Sequence, residues 1–140
     1  MNTNKFLTGT IVGGAAWFIL GYLVWGLLLM SFMESNMGSA SGVMKTDFAW
    51  WALILGNLCW GALLAFIFLK WANISTFGSG AKAGAILGLL IGAGYDFVMY
   101  ATSNLMNLTA AVVDIIATTV VSAIVGGLVG AVLGRGKSEA

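Results

Sequence analysis

Along the third apolar stretch of this chain, every fourth residue is glycine or a polar or aromatic residue: Gly80, Gly84, Gly88, Gly92, Asp96 and Tyr100. The fourth stretch carries a matching line of Ala110, Asp114, Thr118, Ser122, Gly126, Gly130 and Gly134. Four-residue spacing keeps each line on one helical face, drifting by about 40° per step. Folding the two stretches as an antiparallel hairpin about Leu105 sets the lines against each other. Asp96 then faces Asp114, Gly92 faces Thr118, Gly88 faces Ser122 and Gly84 faces Gly126. Small residues let helix backbones approach closely, and a drifting line of them suits a right-handed crossing of about −40°. The first stretch has a weaker line of this kind, Gly9, Gly13, Trp17, Gly21 and Trp25, and the second has Asn57, Gly61 and Ala65.

The solvent for such helices follows from composition. The chain is 60% hydrophobic and 8% charged, against about 25% charged in soluble proteins. Four apolar stretches, near 6–33, 48–71, 80–100 and 108–134, each reach the roughly 20 residues that cross a bilayer as a helix. A membrane barrel would show short alternating segments instead. The expected fold is all-α: one membrane domain over residues 1–140, a four-transmembrane-helix bundle with the third and fourth helices as a glycine-striped hairpin. No proline interrupts any stretch. The first apolar run is about twice the usual 7–15-residue core of a signal peptide, so it reads as a retained helix. An offset of half the chain superposes Phe6, Gly9, Gly13 and Gly21 on Phe77, Gly80, Gly84 and Gly92. That faint repeat would make two helix pairs of the same orientation, related by an axis along the membrane normal.

Orientation follows from the cations. With four crossings, Lys5, Lys70, Lys82, Arg135 and Lys137 share one side and Lys45 alone holds the other. The positive-inside rule places both termini in the cytoplasm. Trp50 and Trp51 are read as anchors at the outer interface and Trp71 at the inner one. Trp17, Trp25 and Trp60 are expected to face lipid or another chain. Net charge of +1 excludes an electrostatic footprint for nucleic acid.

Chemistry-bearing residues are few. Asp96 and Asp114 each sit about six residues in from the outer end of their helices, or ~9 Å. A carboxylate within a span costs about 2.5–3.5 kcal/mol on insertion scales, and such residues face a bundle interior or cavity. Two ionised carboxylates side by side in low dielectric repel, so the pair is expected to share a proton or hold a cation. Thr118, Ser122, Asn57 and Tyr100 are candidate hydrogen-bond partners by depth and face. Two readings are open: a shared-proton bond that fixes helix register, which is taken ahead, and a proton or cation site that couples transport. Against transport, the inner half below Ser122 offers only glycine and alkyl side chains.

All methionines except Met1 lie toward the outer side: Met30, Met33, Met37, Met44, Met99 and Met106. Thioethers are soft Cu(I) ligands, and Met30, Met33 and Met37 would share a face if the first helix continued outward. Gap filling at helix ends is the preferred explanation, so no metal and no cofactor is assigned. Cys59, the single cysteine, is read as a small buried hydrophobe. Without histidine there is no Cys/His nucleophile, and no strand precedes a glycine loop for nucleotides, so no enzyme is expected. Thr109 or Asn107 is expected to cap the fourth helix.

The run Gly21-Tyr22-Leu23-Val24-Trp25-Gly26-Leu27-Leu28 resembles the first-helix signature of small bacterial membrane proteins grouped as domains of unknown function. The stretch from Gly80 through Asp96 and Thr102–Thr109 to Asp114 is similar to the same group. Ser31-Phe32-Met33-Glu34 stands where those relatives often have an aromatic-glycine pair. The resemblance implies a four-helix protein of the bacterial inner membrane and no established activity. The expected role is a non-enzymatic structural or accessory unit. Its partners would be the bilayer and a second copy or another membrane protein.

Overall fold

The computed structural model describes residues 2–135; Lys137, counted above among the cations, lies outside the described residues. Among the described residues the chain is helical, with no strand beyond one isolated bridge between Met37 and Met106. Four helices are long and apolar enough to cross a membrane: α1 (Thr3–Leu28), α3 (Trp50–Ala72), α4 (Phe77–Thr102) and α5 (Leu108–Gly134). A short α2 (Met30–Ser35) follows α1.

Side-chain caps set several of the starts. Asn2 accepts the amide of Lys5 at 3.1 Å, Thr76 that of Ser79 at 3.2 Å and Asn107 that of Ala110 at 2.9 Å. Each satisfies a first-turn N–H that has no partner inside its helix. The Thr76 cap starts α4 at Phe77, ahead of the expected residue 80, and the helix runs on to Thr102. The first apolar run is not one helix to residue 33. Its Tyr22–Leu28 segment is π-helical, and Leu29 leaves the helical path at φ −101° and ψ 0°. The Leu29 amide reaches back to the Val24 carbonyl at 2.7 Å, closing a wide turn without a proline. The second long helix also ends in a π-turn, Phe68–Ala72, closed by Asn73 in the left-handed conformation (φ 49°).

The helices form two antiparallel pairs, α1 on α3 and α4 on α5, joined where α5 packs on α1. α5 is central: eleven of its residues, from Ala110 to Leu133, are buried. In the α4–α5 pair, Gly80, Gly84, Gly88 and Gly92 are buried. A Cβ on Gly80 or Gly84 would run into the main-chain carbonyl of Gly126 or Ser122, and one on Gly126 would stand 2.9 Å from the Gly84 Cα. The α1–α3 pair has a shorter version, in which a Cβ on Gly13 would lie 2.8 Å from the Gly61 Cα. These are main-chain obstacles, which cannot rotate away. Between the pairs lies the apolar core of Leu64, Ala65 and Phe68 from α3 with Val121, Val125, Val129 and Leu133 from α5. Cys59 lies off the buried line Gly61, Leu64, Ala65 of α3 and is exposed, contrary to the buried position expected for it.

At the end of the bundle opposite the termini, two connections pair. Gly38 donates to Leu105 at 3.1 Å, Ala40 to Asn104 at 3.0 Å and Asn107 to Asn36 at 3.1 Å, all through the main chain. The Asn107 side-chain amide also donates to the Asn36 side chain at 2.9 Å. Substitution at matched glycines tests which contacts hold the fold. We expect Gly84→Ala to cost about 1–3 kcal/mol, because the α4 and α5 backbones must separate. Gly94→Ala, with nothing within 4 Å of the added carbon, should be neutral or stabilising by up to about 1 kcal/mol. Unfolding titrations of the purified variants measure both; equal losses would show that close approach is not what holds the pair.

Candidate functional site

The glycine line of α4 ends in Asp96, which is 2% exposed. The facing position on α5 is half-buried Asp114, and the two carboxyls lie within hydrogen-bonding reach of each other. Among the described residues, the ionisable group that acts on Asp96 is Asp114. A third helix completes the cluster. Trp25, in the π-helical segment of α1, donates its indole Nε1–H to Asp114 Oδ1 at 2.5 Å. A carboxylate oxygen is a strong acceptor for such a donor. The second oxygen of Asp96, Oδ2, is buried and has no partner among the described residues.

The remaining candidates divide by place. Thr118 lies against Gly92, with its methyl carbon 3.3 Å from where a glycine Cβ would stand. Ser122 is buried against Gly88. Both line a cavity of about 30 Å³ with Trp17 and Trp60, whose rings lie 6.1 Å apart. The cavity has room for a water molecule. Asn57 does not join the carboxyls, because its side chain donates to the Leu53 carbonyl of its own helix at 2.8 Å. Tyr100, one turn beyond Asp96, is 44% exposed, and its hydroxyl is not among the groups bonded to the pair. At the far end of the lines, Gly130 abuts the main chain of Thr76 and Gly134 that of Ser75.

The methionine face does not form. α2 ends at Ser35, so Met37 lies beyond it and pairs through its backbone with Met106. Met30 is 51% exposed on the short helix while Met33 is half-buried. Breaking the helix at Leu29 separates these residues from the long helical face that would have aligned them. Among the described residues no three His, Cys, Asp or Glu side chains could together hold a metal ion.

Trp25 is the residue that sequence reasoning missed. It was expected to meet lipid or another chain, yet it binds Asp114. The signal was its place on the line Gly9, Gly13, Trp17, Gly21, Trp25, whose first two members are buried against α3 and α5. Comparison of the chain with protein-family models, curated proteins and solved structures finds no match.

The arrangement can bind a proton or orient a carboxyl; it holds no nucleophile-base pair. Trp25→Phe keeps the ring and deletes the N–H. We expect it to lower stability by about 1.5–3 kcal/mol, the range for a bond to a charged group. The same change in an Asp114→Asn background should cost distinctly less, and a double-mutant cycle on thermal stability reads the coupling. Equal costs in both backgrounds would mean that the bond contributes nothing specific.

Proposed function

We propose that this chain is a four-pass integral membrane protein with a non-enzymatic, structural or accessory role, in which Asp96, Asp114 and Trp25 clasp three helices near one face of the bilayer. Membrane residence is supported by the outward faces of the long helices, where Leu28, Leu90, Val98 and Ile116 are all more than half exposed. So much apolar surface marks contact with lipid or protein. Lys5, Lys70, Lys82 and Arg135 sit at the end that carries the N-terminus and the α3–α4 turn, which supports cytoplasmic termini. On the sequence resemblance, the membrane is the inner membrane of a bacterium.

One observation carries the clasp: Trp25 of α1 donates to Asp114 of α5, against which Asp96 of α4 is buried. Two carboxyls this close are accommodated if one proton is held between them. The proton then donates from one carboxyl to the other while Trp25 donates from the other side. Beyond Ser122, the α4–α5 seam is glycine pressed on the backbone of the opposite helix among the described residues. This is why a clasp is favoured over a conduit. The second reading, a proton- or cation-coupled site in a small transporter or channel, is favoured by the partnerless Asp96 Oδ2. Self-association would use the apolar faces left outside the two pairs.

The two readings separate in one series of variants. For the clasp, infrared spectra of wild type should contain the carbonyl stretch of a protonated carboxyl, absent from both Asp96→Asn and Asp114→Asn. An amide supplies the N–H that replaces the shared proton, so each variant should stay within about 1 kcal/mol of wild type. Melting in sodium, potassium and choline salts should be alike. Stabilisation of wild type by one cation, lost in both variants, would establish the coupling site instead.

A further inference from the structure

The bundle has a second polar locus, at the end opposite the carboxyls. Lys5 of α1 donates its Nζ to the Leu133 carbonyl at the end of α5, at 3.1 Å. A lysine ammonium has three donors, so two remain. Beside it, Asn73 and Ser75 of the α3–α4 turn close a cavity of about 60 Å³ with apolar walls from Phe68, Leu69 and Ile74. Asn73 holds the left-handed backbone that ends α3, and this aims the turn back over Lys5. Gly134 lies against the Ser75 carbonyl, pinning the other side of the turn to α5. The half-buried cation comes from α1 and the amide and hydroxyl from the α3–α4 turn, two segments that α5 holds in fixed relation.

Charge at this end has one sign. Lys70, Lys82 and Arg135 accompany Lys5, and no acid among the described residues shares the end. The cavity is lined by the Lys5, Asn73 and Ser75 side chains together with hydrocarbon from Phe68, Leu69, Ile74 and Leu133. We propose that it binds the phosphate of an anionic phospholipid headgroup: Lys5 Nζ, the Asn73 amide and the Ser75 hydroxyl donate to the phosphate oxygens, and Phe68 and Leu69 lie along the start of the acyl chains. Basic pockets between helices at this level suit such headgroups, and exposed Trp71 is the neighbouring interfacial ring. The proposal rests on the membrane reading above, with this end at the cytoplasmic leaflet.

The test uses the full chain purified in a neutral detergent. Melting and native mass spectrometry are followed on adding short-chain phosphatidylglycerol, short-chain phosphatidylcholine or inorganic phosphate. Phosphatidylglycerol at about tenfold excess over its Kd should raise the wild-type Tm by roughly 4 °C more than phosphatidylcholine does. One bound lipid should survive in the mass spectrum. Lys5→Gln should abolish the difference. Because that change also removes the bond to Leu133, Asn73→Gly with Ser75→Ala is the deciding variant. It preserves both Lys5 and the left-handed turn, and should at least halve the shift. Lys82→Gln should keep it. A full shift in the double variant, an equal loss in Lys82→Gln, or equal effects of the two lipids would overturn the site. An equal, variant-sensitive shift with inorganic phosphate would overturn the lipid as its source. Release of the protein from membranes by alkaline carbonate would instead count against the membrane reading, whatever the lipids do.

Discussion

The distance between the α4 and α5 backbones determines the rest of this structure. At Gly80, Gly84 and Gly126 the helices are separated by less than a side chain, and main-chain carbonyls occupy the space a Cβ would need. In a lipid solvent, apolar burial alone does not draw helices together, so dispersion contact between close backbones has to do it. Such contact has no rotamers to adjust. It fixes height as well as distance, and so brings Asp96 and Asp114 to one level.

The two ends of the bundle manage polar groups differently. At one end the carboxyls are turned inward and a neutral indole N–H is brought to them from α1. At the other, Lys5 neutralises a terminal carbonyl of α5 and leaves donors directed outward. Under the proposed clasp the first arrangement is completed by a proton, and under the proposed lipid site the second by an anion. Between them the interior is mostly alkyl groups and glycine, with the Ser122 side chain, the Thr10 hydroxyl and the Trp17 indole N–H as isolated buried polar groups among the described residues. Polar chemistry is therefore concentrated at the ends.

How far these features are legible in the sequence differs by scale. Length and hydropathy were enough for four long apolar helices, and the fourth runs over the expected 108–134. Four-residue spacing pointed to the residues that could meet, and Gly88 lies against Ser122 and Gly92 against Thr118. What did not follow is local backbone behaviour. Nothing in Tyr22–Leu28 marks a π-turn, because the segment has neither proline nor a polar residue that competes for the backbone; hence the break at Leu29 and the dispersal of Met30, Met33 and Met37. Asn57 was placed by depth, yet a nearer acceptor on its own helix, the Leu53 carbonyl, satisfies it. Trp25 was expected to face lipid or another chain, although its helical line led inward to Asp114. The Lys5 cavity needed three distant stretches, around Lys5, Phe68–Ser75 and Leu133, to be assembled and was beyond any local pattern.

The central position of α5 has a bearing on how the molecule is made. It follows α1, α3 and α4 in the sequence, yet among the described residues it supplies more of the interior than any of them and joins the α1–α3 pair to α4. During synthesis α1 and α3 can pair through Gly13 and Gly61, but α4 has little to hold it until α5 emerges. Until then its glycine face and Asp96 remain uncovered. A ribosome that stops before Leu108 would therefore leave one helix pair and a third helix without the partner its glycine face packs on.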